Sequence, residues 1–262
     1  MTKGSESEVA FYMDEIMRCV VDIGEEMLRS GAEVRRVEDS MERMFAAYGA
    51  RRSDVLAIAS GIHVTVVSAD GRTLTQTRRV RTVSNNYGKV DALNALSRAV
   101  CEGKPEAGEI RTRLSAITDA KRESPVWRFL GGILGAAAFA VFFGGTVADG
   151  LIAALISLPY TASELWLRRP DMNPVVYNFM WSLLMGLLAH ASVAMGFGGH
   201  VDMIMIGCIM LPIPGALVTA SLRDMLLGDT ITGALRLSEA LLMAVAIAAG
   251  FAAAILICTG VR

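Results

Sequence analysis

Ser124-Pro125-Val126-Trp127-Arg128-Phe129-Leu130-Gly131-Gly132-Ile133-Leu134-Gly135-Ala136-Ala137-Ala138-Phe139-Ala140-Val141-Phe142-Phe143 marks the point where this chain stops being charged. Residues 1–125 hold 19 Lys/Arg and 19 Asp/Glu, whereas the slightly longer stretch 126–262 holds only 6 and 7. The second half is too poor in charge for an ordinary water-soluble domain. Its long apolar runs suit helices that cross a bilayer. The sequence therefore predicts a soluble half joined to a membrane half.

Downstream of Pro125, five apolar segments can be drawn, at about 126–146, 148–167, 175–196, 201–220 and 238–259. Each is close to the roughly 20 residues that a helix needs to cross the hydrocarbon core. Gly144-Gly145-Thr146, Arg168-Arg169-Pro170-Asp171 and Gly196-Phe197-Gly198-Gly199 are the short connections, and a longer amphipathic loop, 221–237, precedes the last segment. Basic residues fix the orientation. With the N-terminus in the cytoplasm, Lys121, Arg122, Arg128, Arg168, Arg169, Arg223 and Arg236 all lie inside and only Arg262 lies outside. Small residues, Gly131 with Gly135 and Ser182 with Gly186, suit close packing between helices.

The segment Leu211-Pro212-Ile213-Pro214-Gly215 falls within the fourth apolar stretch. Each proline lacks an N–H and collides with the preceding turn, so the helix must break there. Freed backbone groups at bilayer depth survive only against protein or a watery cavity, and transporters use such interruptions to hold solutes. Pro212, Pro214 and Gly215 are therefore candidate substrate-binding or gating residues. Thr219, Arg223 and Asp224 follow on the cytoplasmic half. Arg223 suits a carboxylate, and Asp224 suits a pairing with Arg223 or Arg236, an ammonium group or a coupling proton. Asp149, Asp202 and Glu239 fall near span ends, where water reaches them, and Glu164 is close to the cytoplasmic end. His190 lies deeper and is the best ionisable candidate inside a span.

Upstream of Pro125 the pattern is that of a small α+β domain. Ile16, Val20, Ile23 and Met27 recur at helical spacing. Ser30 and Glu33 read as a capping box for the next helix, whose stripe is Val34, Val37, Met41, Met44, Phe45 and Tyr48 and whose end suits Gly49. Period-two alternation then gives strands at Val55–Ile58, Ile62–Val66 and Thr73–Thr77, with Asp70-Gly71 as a two-residue hairpin turn. Two amphipathic helices follow, carrying Val90, Leu93, Leu96 and Val100, then Ile110, Leu114 and Ile117. The charged run Glu33, Arg35, Arg36, Glu38, Asp39, Glu42 and Arg43 reads as a solvated helix face. His63 reads as a partly buried strand residue. Thr73, Thr75, Thr77, Arg78, Arg79 and Arg81 read as a polar sheet face, with anion binding as the alternative.

No nucleophile–base order, phosphate loop, dinucleotide fingerprint or Cys/His cluster is present, so no catalytic residue, metal or cofactor is expected. The net charge of −1 gives no basic field for nucleic acid. Cys19, Cys101, Cys208 and Cys258 are spaced as packed, reduced thiols. The first residues carry no apolar signal-peptide core, which keeps the soluble half on the side of synthesis.

Several of these stretches together resemble the threonine/serine exporter family. They are Ser30-Gly31-Ala32-Glu33 with Val37-Glu38, the hairpin Asp70-Gly71 ending at Thr77-Arg78, and Pro214-Gly215 followed by Asp224-x3-Gly228-x4-Gly233. The resemblance covers nearly the whole chain. Long members of that family look like two five-span halves, and this chain resembles the first. Similar split systems encode the second half separately, and one such pair is associated with succinate export. The resemblance thus implies a subunit of an inner-membrane exporter of small polar metabolites, most of all threonine and serine, working with a second five-span subunit. A small dicarboxylate is the alternative solute, and a membrane-anchored hydrolase is the alternative of another class. The expected architecture is a bundle of five transmembrane helices (125–262) preceded by a cytoplasmic α+β domain (1–124) with a three-stranded antiparallel meander. Membrane lipid and a small-molecule substrate are its other expected partners, with the C-terminus outside.

Overall fold

A computed structural model describes residues 3–81, 86–120, 124–167 and 172–260. Lys121, Arg122, Arg168, Arg169, Pro170, Asp171 and Arg262, which entered the orientation and connection readings, lie outside the described residues. The described chain is mostly helical, with one small sheet, and divides into two compact units. One comprises 1–121 together with Thr219–Arg236, the other 122–218 with Leu237–Arg262.

The first unit opens with α1 (Lys3–Arg29) and α2 (Val34–Ala47). Ile16, Val20, Ile23 and Met27 of α1 and Val34, Val37, Met41, Met44 and Phe45 of α2 are fully buried, as their spacing predicts. Gly24 permits the two helices to approach, since a Cβ there would lie 2.4 Å from the Met41 sulfur. Ser30 does not cap α2. Gly31 takes φ 90°, and its N–H and that of Ala32 return to Leu28 and Met27. Ser30 thus belongs to the closing turn of α1, a Schellman motif. Glu33 becomes the N-cap of α2 without making a side-chain cap bond.

The sheet is the expected antiparallel meander, β1 (Arg52–Ile58), β2 (Gly61–Val67) and β3 (Thr73–Arg79), in the order β1-β2-β3. Ala57, Ile62, Val64 and Val66 are buried on one face. The β2–β3 connection is longer than a two-residue turn. Ser68 N–H bonds to the Arg72 carbonyl, Gly71 N–H bonds to the Ser68 carbonyl, and only Gly71 has positive φ. A type I turn followed by a left-handed glycine replaces the type I′ turn, which needs two positive φ angles. The Asp70 carboxylate accepts from the Ser68 hydroxyl, which holds its pKa below the usual value. His63 is exposed rather than partly buried, and its Nδ1 meets Thr77 Oγ1 at 2.9 Å. Helices α3 (Tyr87–Gly103) and α4 (Ala107–Thr118) close the core with Leu93, Val100 and Ile110.

The second unit contains α5 (Pro125–Phe142), α6 (Val147–Ala162) continued by a π-helical turn (Ser163–Leu167), α7 (Pro174–Ala194) and α8 (Val201–Ile209). After a break the chain resumes as α9 (Gly215–Leu226), and then α10 (Thr230–Thr259). The expected loop 221–237 is thus mostly helical. Four helices among the described residues are long and apolar enough to cross a membrane: Pro125–Phe142, Val147–Leu167, Pro174–Ala194 and Thr230–Thr259. Segment 201–220, expected as one span, is two short helices. Packing within the unit relies on small residues. A Cβ at Gly207 would lie 2.5 Å from the Ala136 carbonyl, one at Gly186 2.6 Å from Ala254 Cβ, and one at Gly250 2.6 Å from the Phe179 carbonyl. The small face of α5 is Gly132, Ala136 and Ala140. Gly131 and Gly135 are the pair expected to pack. A Cβ added at either would meet nothing within 4 Å, because both lie on the other side of the helix. Leu134, Phe142, Leu151, Leu155, Leu184, Leu241, Val245 and Leu256 stay exposed, an apolar surface suited to lipid.

Candidate functional site: an interrupted helix and its charged end

The break is where the prolines predict. Helix α8 ends at Ile209, and a new helix starts at Gly215, with Val218 N–H bonding to the Pro214 carbonyl at 3.0 Å. Pro212 and Pro214 can offer no N–H to the carbonyls four residues earlier, those of Cys208 and Met210. Leu211 N–H partly compensates, reaching Cys208 at a long 3.3 Å.

At its other end α9 lies in the first unit, together with the start of α10. Gly228, with φ 100°, ends α9, and the Gly228 and Asp229 N–H groups return to Met225 and Asp224. Gly233 lets α10 close on α9, since a Cβ there would sit 2.7 Å from the Ser221 carbonyl. The turn brings Asp224 and Arg236 together at 2.6 Å, with side chains only 2% and 8% exposed. The second terminal nitrogen of Arg236 is buried without a hydrogen-bond partner among the described residues. Burial pushes the Asp224 carboxyl above its ordinary pKa, against the pull of Arg236. The Asp-x3-Gly-x4-Gly spacing thus has a physical content: an ion pair, a positive φ and a close helix contact. The sequence left Arg223 and Arg236 open as partners for Asp224; the structure selects Arg236.

Arg223 instead pairs with Glu33 at 2.7 Å, and Arg35 donates to the Leu227 carbonyl at 3.2 Å. Glu38 accepts from the Ala57 N–H at 2.7 Å, and burial raises its pKa. The α2 charges are therefore not simply a solvated face. Asp39 and Arg43 fit that description, whereas Glu33, Arg35 and Glu38 hold other elements. Arg78 lies on the α1 side of β3, 2.6 Å from Asp22, and not on the exposed threonine face.

His190 turns back on its own helix, its Nδ1 3.0 Å from the Gly186 carbonyl. Asp149, expected to be wet, is fully buried. Its two oxygens take bonds from the Thr146 N–H and hydroxyl, the Gly199 and His200 N–H groups, and the His200 ring. It thereby ties the α5–α6 turn to the α7–α8 turn. His200, whose ring is 3.0 Å away, gains a raised pKa chiefly from that hydrogen bond. The signal in the sequence was Thr146-x-x-Asp149, a capping box at the start of an apolar run. A second feature had no sequence signal. Pro159 precedes the π turn, beside which Tyr160, Tyr177 and Trp181 cluster and Ser163 bonds to Tyr177.

No curated protein and no solved structure matches this chain. The family profile for threonine/serine exporters, ThrE, matches residues 18–258, which spans both units. With four apolar helices of membrane-crossing length, the match describes a multi-pass membrane transporter of exporter type. This chain belongs to the threonine/serine exporter family.

Proposed function

We propose that the chain is one subunit of a cytoplasmic-membrane exporter of small polar metabolites, threonine and serine foremost, and that a second five-span membrane protein completes it. The observation that carries this reading is the interruption of the helix between Ile209 and Gly215. A wall or an anchor has no need of an interrupted backbone within an apolar stretch, whereas a solute path does. In this reading α8, the break and the first turn of α9 together make the fourth of five crossings, with the N-terminal unit in the cytoplasm and the C-terminus outside.

Gly215, Thr219 and Arg223 recur every four residues along α9 and so share one face. Backbone groups at the break meet the polar solute, and the Thr219 hydroxyl bonds to it. Arg223, 61% exposed, attracts its carboxylate, in competition with Glu33. Asp224 is paired and buried, so its role is to fix the helix end rather than to meet the solute.

The test is the double substitution Pro212→Ala/Pro214→Ala. It should restore a continuous helix and reduce export to background while membrane insertion stays intact. Cells lacking the gene are loaded with threonine- or serine-containing peptides, or with succinate, with and without the candidate partner. Retention of threonine and serine supports the reading; retention of succinate alone transfers it to a dicarboxylate. Export by the double variant at the unmodified rate overturns it.

A further inference from the structure

The first unit holds a cavity of about 610 Å³ that the transport reading does not use. It lies between α1, β3 and α4, and its polar lining includes Asp14, Arg18, Asp22, Gln76, Arg78 and Arg111. Its size falls in the range of small-molecule sites. Asp14, Arg18 and Asp22 recur every four residues on α1, so they form one row of alternating charge. Arg78 faces that row from the edge strand, and Arg111 faces it from α4.

The pairing inside the cavity is uneven. Asp14 holds Arg18 at 2.7 Å, and Asp22 holds Arg78 at 2.6 Å. Among the described residues Arg111 makes a long ion pair, 3.5 Å from Glu15, and lies beside the Cys19 thiol. The buried Arg78 Nε makes no close hydrogen bond among the described residues and keeps a long ion pair, 3.4 Å from Glu25. Each guanidinium group thus has one long contact that a ligand carboxylate can replace, Arg78 with Glu25 and Arg111 with Glu15, while half-buried Asp22 has its pKa raised by burial despite Arg78. A guanidinium fork suits a carboxylate. A partly exposed carboxylate suits a charge-assisted hydrogen bond from an ammonium group.

We infer that this cavity binds a small zwitterion, an amino acid or a short peptide, with its carboxylate on Arg111 and Arg78 and its ammonium group toward Asp22. Such a site lets the soluble unit respond to the solutes around it. The inference rests on the cavity alone and stands whether or not the proline break is the transport path.

The test is equilibrium binding of radiolabelled L-threonine to the full chain in detergent. Serine and a threonine-containing dipeptide serve as competitors, and lactate serves as a carboxylate without an ammonium group. Arg111→Gln and Asp22→Asn should each weaken binding at least tenfold, and Arg111→Lys should weaken it less. The Pro212→Ala/Pro214→Ala variant should keep the component that Arg111→Gln removes. Stronger competition by the dipeptide than by serine assigns the site to peptides, and the reverse assigns it to amino acids. Absence of binding, binding indifferent to Arg111→Gln, or competition by lactate equal to that of serine overturns the inference.

Discussion

Two charged pairs near the end of α9 look alike in the sequence and differ in energy. Arg223 and Glu33 meet at 2.7 Å, but the arginine is 61% exposed, so water and salt screen the pair. Arg223→Ala should cost no more than about 1 kcal/mol of stability. Asp224 and Arg236 are almost fully enclosed. Asp224→Ala leaves a buried guanidinium without its counter-charge and should cost about 3–5 kcal/mol. Denaturant or thermal unfolding of the purified chain separates the two outcomes, and a double replacement of Asp224 and Arg236 by apolar residues should recover much of the loss. The sequence carried the aspartate and its glycines but not its partner, because Arg223 and Arg236 are both in reach until the turn geometry is known. Asp149 escapes a sequence reading for a related reason: depth near a span end does not tell whether protein or water surrounds the group. His200 sets the pH response of that cluster. Its folded pKa is raised above the ordinary value of about 6.5, so its stabilising effect is complete below that pH and is lost as pH rises through the folded pKa. Melting temperature should therefore fall across that window, and His200→Ala should flatten the fall.

The buried faces of helices with a clean apolar stripe are legible, since Ile16, Val20, Ile23 and Met27, or Leu93, Leu96 and Val100, can face a core in only one way, although α1 begins nine residues before the reading of 12–28. Connections are less legible. Ser30 satisfies the sequence pattern of an N-cap, yet Gly31 claims it for the end of α1. Asp70-Gly71 satisfies the pattern of a two-residue turn, yet Asp70 keeps negative φ. In apolar helices the stripe itself disappears, because lipid-facing and buried sides are both hydrophobic, and small residues alone cannot say which side packs. The contrast is testable. Gly250→Leu drives a side chain into the Phe179 carbonyl and Ser182, and should destabilise the membrane unit by about 1–3 kcal/mol. Gly131→Ala meets nothing within 4 Å and should be neutral or stabilising by up to about 1 kcal/mol. Thermal scans of the two variants in one detergent give the comparison.

For the molecule as a whole, the proposed topology makes a sharp prediction. A reporter fused after Arg262 should be active only outside the cytoplasm, and a cytoplasmic signal there sinks the five-crossing reading. Purified chain alone in liposomes should move little threonine or serine, and addition of the second subunit should restore flux. The composition of the first unit also bears on how the protein is made. Its residues are not contiguous: 1–121 are joined by Thr219–Arg236, which bring Arg223 to Glu33 and Leu227 to Arg35. A ribosome working from the N-terminus delivers the last of them on the order of ten seconds after Lys121. In the proposed topology, α5 to α8 are handled by the membrane insertion machinery in that interval. The first unit reaches its full set of contacts only after most of the second unit has been synthesised. An isolated N-terminal fragment should therefore be less stable than the same residues in the full chain, and a chain stalled before α10 should carry an unfinished, protease-sensitive head.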